Sequence, residues 1–464
     1  MEKVKNEGSF FGTESIGKIL LKVAPPVMLA QLIQALYNIV DSFFVGKYSD
    51  DALTALSVVY PWQLIAIALA VGTGVGVNTY MARKFAHRDE KAAYSAAGTG
   101  MVLALVSWAV FAGVSALIMR PFVRLSASSP AAIEDAVTYG NIVCIGSIGT
   151  FLEGNWSKVH QAKGNMRLPM IAQIAGAAVN IVFDPLLIFG WKFIPAMGVA
   201  GAAYATVAGQ IIAAIIVGVK GFHLPPKSRF FHYVGRIYYY GYSSICMQSL
   251  FTVYIVALNV ILSGFSDAAV TVLGLYYKLQ SFFFIPLFGL QTCIVPVLSY
   301  NYAAEQYPRC RRIMLDSFVI SAAFMLLGVV CFVFFPVPLS GLFSKSAEVK
   351  NIARVAFPII GSSFVPAVFS LMMPVFFQAI GYGKTSLLLS LTRQIFCLVP
   401  MFWVMSFIGL NFTWIAFPFA ETTAGAIGLI LYFRTVKKWK TRGETAETEK
   451  TRQPEQPTDP PVAE

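Results

Sequence analysis

The chain has 464 residues, of which 57% are hydrophobic and only 12% charged. A soluble domain carries about 25% charge, so this composition excludes a soluble globular protein and points to a polytopic membrane protein. The net charge of +12 would direct a soluble protein toward nucleic acid, but here the basic residues lie in loops between apolar segments, which reads as topology and excludes a nucleic-acid partner.

The first 20 residues, MEKVKNEGSFFGTESIGKIL, are mixed polar and lack a compact apolar core ending in a cleavage site, so no cleavable signal peptide is expected. A spanning helix needs about 20 apolar residues. Twelve spans follow, near 20–46, 53–82, 92–119, 131–157, 166–190, 197–219, 236–263, 268–300, 311–336, 351–380, 385–408 and 412–434, referred to below as spans 1 to 12. Several exceed 25 residues, so tilt or extension beyond the lipid is expected. Turn signals such as Lys47-Tyr48-Ser49-Asp50-Asp51, Ser126-Ala127-Ser128-Ser129-Pro130 and His223-Leu224-Pro225-Pro226 separate them, and no extramembrane domain interrupts them. The expected organisation is an N-terminal segment (1–19), an N-lobe of spans 1–6 (20–220), a linker (221–235), a C-lobe of spans 7–12 (236–435) and a tail (436–464). Residues 440–464 are polar and Pro-rich, the composition of a disordered segment.

Charge sets the orientation. With both termini inside, the inward segments carry 26 of the 35 Lys and Arg residues and the outward loops 7, while Lys278 and Arg393 lie within helices. That bias makes the termini and the linker cytoplasmic.

The two halves match at a constant offset of 217 residues: Gln31 with Gln248, Tyr37 with Tyr254, Ser49-Asp50 with Ser266-Asp267, Thr54 with Thr271, Tyr60 with Tyr277, Gln63 with Gln280, Gly72 with Gly289, Gln161-Ala162 with Gln378-Ala379, and Gly164 with Gly381. Six helices per half is an even number, so both copies share one orientation. The expected fold is all-α: twelve transmembrane helices in two six-helix lobes related by a pseudo-two-fold along the membrane normal.

Two carboxylates break the apolar pattern, Asp41 in span 1 and Asp184 in span 5. A carboxylate at a helix centre costs roughly 2.5–3.5 kcal/mol or more, so such residues usually face a bundle interior and bind an ion, a proton or a substrate. At the repeat offset Asp41 matches Leu258 and Asp184 matches Met401, so the acid pair belongs to the N-lobe alone. Helical spacing places Gln34, Tyr37, Asn38 and Asp41 on one stripe of span 1. Asn180 and Asp184 share a face of span 5, and Thr206 on span 6 falls in the same outer half of the membrane. Two carboxylates, an amide and a hydroxyl form an all-oxygen set suited to a hard cation; equally, two nearby carboxylates share a proton. Pro185 removes a helix hydrogen bond beside Asp184, and Pro25-Pro26 is expected to break the inner end of span 1 and serve as a hinge. Glu153 on span 4 lies nearer the cytoplasmic boundary and reads as structural pairing.

In the C-lobe, Lys278, Arg393 and Glu421 lie well inside spans 8, 11 and 12. Intramembrane charges pair, so Glu421 is expected to bridge Lys278 or Arg393, as a staple or as a functional group. Gln248, Gln280 and Gln291 are candidates for the same interior. Phe282-Phe283-Phe284 and Met372-Met373-Pro374-Val375-Phe376-Phe377 offer aromatic and sulfur surface for apolar or cationic ligands, or ordinary core. The six cysteines show no paired spacing, so no disulfide and no metal beyond a possible Na+ is expected.

The segments APPVMLAQLIQALYNIVDSFFVG, QAKGNMRLPM, NIVFDPLLIFG, GVAGAAYATVAGQ and WIAFPFAE resemble the multidrug and toxic compound extrusion (MATE) family, and the similarity covers nearly the whole chain apart from the tail. The resemblance implies an antiporter of the bacterial or archaeal plasma membrane that exports amphipathic, often cationic compounds against inward H+ or Na+, with no other cofactor, as a monomer among lipid. Its N-lobe cation site matches Asp41, Asn180, Asp184 and Thr206 here. Some members carry further carboxylates on helices 7 and 10; this chain has none there, so a second cation site does not carry over. The same superfamily includes lipid-linked oligosaccharide flippases, the alternative reading. A major-facilitator carrier would show a GxxxDRxGRR-like loop after span 2, where this chain has ARKFAHRDEKAA. HExxH, GxSxG and a membrane-facing DDxxD are absent from the sequence, so an enzyme is not expected.

Overall fold

The structure, a computed structural model, describes residues 10–126, 130–343 and 346–452. The described chain is helical apart from loops and an isolated bridge between Trp191 and Ile194. In lipid a helix satisfies its own backbone polar groups, which is why apolar segments of this length fold this way. Span 1 is Ile16–Tyr48, span 2 Asp50–Ala86, span 3 Glu90–Ser126, span 5 Arg167–Ile188, span 6 Val199–Gly221, span 7 Phe230–Ser263 and span 9 Tyr307–Phe334. Among the described residues nine helices are long and apolar enough to cross a membrane, eleven when two sharply bent pairs each count as one. Span 4, in two shorter helices, completes the twelve.

Four spans depart from the single helices expected. Span 8 is Asp267–Phe283 plus Ile285–Ala303, bent by 56°. Pro286 stands at the start of the second piece, where its missing N–H is harmless but would break a continuing helix. Its counterpart at the repeat offset is Leu69, and span 2 runs unbroken. Span 10 is Ala347–Gly361 plus Phe364–Ala379, bent by 54°. Between them Ser362 and Ser363 turn their hydroxyls back onto the carbonyls of Ile359 and Ile360, both at 2.6 Å, which competes with the helix ladder. Span 4 breaks at nearly the matching place, Pro130–Ile145 then Ile148–Ala162, with Ser147 Oγ donating to the Cys144 carbonyl at 2.7 Å. Span 11 contains a π-helical turn, Thr392–Leu398, between Gly383–Leu391 and Val399–Ser406.

The proline break expected in span 1 does not form: Pro25 and Pro26 sit inside one continuous helix, where buried Ala24 and Val27 on either side hold it by packing. Pro185 is likewise inside span 5, which runs on to Ile188. Span 12 continues past the expected start of the tail: its last helix runs Ala416–Arg452, with Lys, Arg and Glu favouring helix against the Thr residues and Gly443 among them. Residues 453–464 of the expected tail, and residues 1–9 of the 1–19 segment, lie outside the described residues.

The duplication is visible in backbone detail. Ser49 Oγ accepts from Ala52 N at 3.1 Å to cap span 2, and Ser266 Oγ accepts from Ala269 N at 3.2 Å to cap span 8. Gly164 and Gly381 both turn left-handed, with φ of 83° and 89°. Arg88 and Glu305, also 217 residues apart in sequence, share a φ of 57°.

The lobes meet along a glycine seam. Gly72 packs on Ile245 and Gly289 on Met28, while Gly241 lies against the Gly72 carbonyl and Gly76. Nearer the termini, the Arg83 guanidinium lies over Tyr240 at 5.1 Å and over Tyr302 at 5.2 Å. A short helix, Phe10–Thr13, clasps the same side: Asn301 Nδ2 and Arg309 Nη2 donate to the Phe11 carbonyl at 3.0 and 2.9 Å, and Arg309 Nη2 also reaches the Glu14 carbonyl at 2.7 Å. The apolar core that runs from one lobe into the other takes its N-lobe members from this half only, among them Phe11, Ile19, Val23, Val27, Val75 and Met166. On the opposite side the N-lobe keeps a separate core around Val45, Ala52, Phe111, Tyr139 and Phe151. The lobes are thus joined on the side that carries the termini and part toward the other.

Candidate functional site: a buried carboxylate pair in the N-lobe

Span 1 delivers Asp41 and span 5 delivers Asp184 into the N-lobe interior, at 8% and 0% exposure. The two carboxyls stand within hydrogen-bonding reach of each other. Asn180, one turn before Asp184, is also buried, and its Nδ2 donates to Asp184 Oδ1 at 3.3 Å and to Thr206 Oγ1 on span 6 at 3.4 Å. One amide therefore ties three groups from two helices together. The close crossing of spans 5 and 6 that allows this comes from small residues: Gly176 and Gly209 face each other, backbone against backbone.

The acceptor side of this cluster is under-used. Asp41 Oδ1, Asp184 Oδ2 and Asn180 Oδ1 are all sealed from solvent without a hydrogen-bond partner among the described residues. Buried polar groups are ordinarily paired, and two carboxylates at this separation repel unless a cation or a proton lies between them. Three orphaned oxygens fit an oxygen-seeking cation, which makes the set a fitting receptor for Na+ or a shared proton. A site built from three or more His, Cys, Asp or Glu ligands is absent among the described residues.

The rest of the span 1 stripe is more open. Gln34 and Asn38 are exposed and Tyr37 is half-buried. Exposed amides at this depth belong with water rather than hydrocarbon, so the stripe marks a wet approach to Asp41 on the side where the lobes part. One member of the cluster escaped sequence reasoning. Tyr139 on span 4 is buried at 3% exposure, with its hydroxyl within reach of Gln63 and Thr206. Its signal was indirect: Tyr60 and Gln63 stood out only as repeat partners, and nothing in the spacing of span 4 singled out a tyrosine.

Glu153 pairs structurally, accepting from Ser157 Oγ at 2.6 Å with Lys158 nearby. In the C-lobe Glu421 bridges Arg393, whose Nε donates to Oε1 at 2.9 Å and Oε2 at 3.0 Å. Ser370 Oγ donates to the same carboxylate. Lys278 takes no part in this pair: it lies on an exposed face of span 8, where a long aliphatic stem can carry its ammonium toward water. Gln280 is buried, Gln248 is exposed, and Gln291 Nε2 donates to the Leu371 carbonyl at 2.8 Å. The Met372–Phe377 run is interior core, with Met372, Met373 and Phe376 at 0% exposure, not ligand surface.

Two six-span lobes repeated at one offset, joined by a seam and enclosing charged groups within the membrane, define a duplicated helical membrane transporter. The chain belongs to the MatE family, whose model matches residues 26–186 and again 244–404, once per lobe. Curated relatives include a protein named FAD transporter from Shewanella oneidensis, 22% identical over 88% of this chain and 93% of its own. The multidrug export protein MepA of Staphylococcus aureus is 22% identical over 86% of this chain and 89% of its own. Among solved structures, the chain superposes with a TM-score of 0.86 on a multidrug resistance MATE transporter in an outward-facing conformation, at 22% identity over 94% of this chain and 99% of that one. A MOP-superfamily transporter from Pyrococcus furiosus gives a TM-score of 0.87 at 22% identity, with the same coverages.

Proposed function

We propose that this protein is a cation-coupled antiporter that exports amphipathic, often cationic compounds from the cytoplasm by alternating access, with H+ or Na+ as the coupling ion. The observation that carries the reading is the Asp41–Asp184 pair, which together with Asn180 presents three unpartnered oxygens. In the state described, the lobes are closed on the terminus side; with the termini cytoplasmic, as the charge bias requires, the cleft opens outward. A cation entering from outside reaches the carboxylates past Gln34 and Asn38, relieves their repulsion and engages the orphaned oxygens. Span 1 then adjusts about Pro25 and Pro26, where backbone hydrogen bonds are missing, and the bound compound leaves. Opening of the glycine seam lets the next compound bind from the cytoplasm while the cation departs inward. The protein works as a monomer in the plasma membrane of a bacterium or archaeon.

The experiment is ethidium efflux from vesicles under imposed H+ and Na+ gradients, comparing the native chain with Asp41→Asn and Asp184→Asn. Loss of coupled efflux in both variants is expected; undiminished coupled efflux would refute the assignment. Which gradient drives the native chain names the ion. A lipid-linked oligosaccharide flippase is the second reading; it calls for a wide cationic cavity, against the acidic pair in the N-lobe. The relative named FAD transporter adds flavin nucleotides to the compounds worth assaying.

A further inference from the structure

The duplicated frame places a second polar centre in the C-lobe. Arg393 on span 11 and Glu421 on span 12 occupy the helix pair equivalent to spans 5 and 6, which carry Asp184 and Thr206. Around them stand Tyr254 and Tyr277, the repeat partners of Tyr37 and Tyr60. Both are close enough to Arg393 to interact electrostatically, as Tyr37 is to Asp41 and Asp184. The two lobes thus build their equivalent interiors with different chemistry: two carboxylates on one side, a guanidinium paired with one carboxylate on the other.

The guanidinium is held but not saturated. Arg393 is 7% exposed, and among the described residues only its Nε edge is engaged, by Glu421. The Glu421 carboxylate is itself gripped by Ser370, so it acts as a fixed backing for the arginine. The Nη1–Nη2 edge keeps no protein partner among the described residues, and 9% of the side-chain surface stays accessible. Such an edge suits two parallel hydrogen bonds to one carboxylate or phosphate, which a lysine cannot copy. The arginine also sits within the π-helical turn of span 11, a departure from regular helix that is frequent at functional sites. Beside it, Phe251, Tyr254 and Tyr277 form an edge-to-face aromatic wall, with ring centroids 5.4 to 6.3 Å apart.

We propose that Arg393, backed by Glu421 and flanked by Tyr254 and Tyr277, is a binding site for the carboxylate or phosphate of an amphipathic aromatic anion. The assignment rests on the transporter reading and widens its substrate class to anionic compounds. The anionic group comes from a transported solute or from a membrane lipid; the chemistry recognised is the same.

The test uses the purified full chain in phosphatidylcholine nanodiscs, titrated with fluorescein as the aromatic carboxylate and with ethidium as the cationic control. Saturable fluorescein binding, competed by benzoate, is expected from the native chain. Arg393→Gln is expected to weaken fluorescein about tenfold or more, the scale of a lost charge-assisted pair, and to leave ethidium within about twofold. Glu421→Gln keeps an oxygen to back the Arg393 Nε but removes the negative charge beside the guanidinium, and is expected to tighten fluorescein. It also keeps the test alive where Arg393→Gln fails to fold. Absence of saturable fluorescein binding by the native chain overturns the proposal, as do an unchanged affinity in Arg393→Gln, weaker binding in Glu421→Gln, or equal losses for both dyes. Repeating the titration with phosphatidylglycerol in the discs separates the sources. A lipid-dependent fall in fluorescein affinity in the native chain but not in Arg393→Gln supports a lipid phosphate, and an unchanged affinity supports a soluble anion. Efflux by Asp41→Asn reads the coupling proposal separately, since fluorescein binding at Arg393 does not need Asp41.

Discussion

Gly72 and Gly289, 217 residues apart in sequence, hold the same position on opposite sides of one seam: Gly72 meets Ile245, Gly289 meets Met28, and Ile245 and Met28 are themselves repeat partners. This is the reciprocal contact that a two-fold axis demands. The two sites differ in what a side chain would strike. At both an added Cβ first meets a side chain, but at Gly72 the Ile245 backbone nitrogen follows at 2.8 Å, whereas at Gly289 the Met28 backbone stays 3.3 Å away.

That difference sets the first prediction. Gly72→Ala forces backbone apart and is expected to weaken the closed seam by about 1–3 kcal/mol, the usual cost of overpacking. Gly289→Ala costs less, because the Met28 side chain must shift but its backbone stands 3.3 Å away. Distances between spin labels on the terminus-side ends of spans 2 and 7 report the shift. A larger opening from Gly289→Ala than from Gly72→Ala contradicts the account.

Asn180 is the second case. Its Nδ2 donates to both Asp184 and Thr206, so Asn180→Leu leaves a carboxylate without its donor while roughly keeping volume. A hydrogen bond to a charged group is worth about 1.5–3 kcal/mol, so apparent affinity for the coupling ion is expected to fall about ten- to a hundredfold. The ion concentration giving half-maximal efflux measures this directly. Thr206→Val is milder, since Asp184 keeps its amide partner.

Much of this arrangement was legible in the chain. Composition fixed the class, because so few charges cannot cover a soluble surface. The offset of 217 revealed the duplication, because both copies need the same caps and left-handed turns at Ser49 and Ser266 or Gly164 and Gly381. Asp41 and Asp184 announced themselves because a carboxylate in an apolar run is expensive. The breaks were hidden for opposite reasons. Those at Ser147 and at Ser362-Ser363 depend on hydroxyls turning back on carbonyls, a choice hydropathy does not register. Pro286 was visible, yet prolines also sit inside intact helices at positions 25, 26 and 185, so residue type alone did not separate break from tolerance. Tyr139 was hidden because a tyrosine in a span is ordinary until its neighbours are known. Lys278 misled because depth along a helix does not say which face a residue occupies.

The third prediction concerns the loop between spans 2 and 3. Asp89 Oδ2 accepts from Lys84 Nζ at 3.0 Å and Oδ1 accepts from Ala92 N at 3.1 Å, capping span 3. The bond from Lys84, aided by the Ala92 amide, holds this carboxyl below its ordinary value. A lowered folded-state value means the carboxylate's contribution is complete above the ordinary range of aspartate and disappears as pH falls through the lowered value. Asp89→Ala is expected to cost about 1 kcal/mol at neutral pH, the usual worth of such a cap, and the deficit should vanish in acid. Thermal unfolding of the detergent-solubilised protein from pH 3 to 7 checks it; a deficit that persists unchanged at pH 3 refutes it.

The clasp on Phe11 has a consequence of its own. Asn301 and Arg309 grip main-chain oxygens at residues 11 and 14, and every amino acid supplies those. Substitutions along Phe10–Glu14 therefore leave the donors satisfied, whereas inserting one residue between this segment and span 1 would throw it out of phase. The clasp itself specifies length, so the leading stretch acts as a ruler, and its spelling is held where side chains pack, at buried Phe11 and at Gly12 against Tyr300.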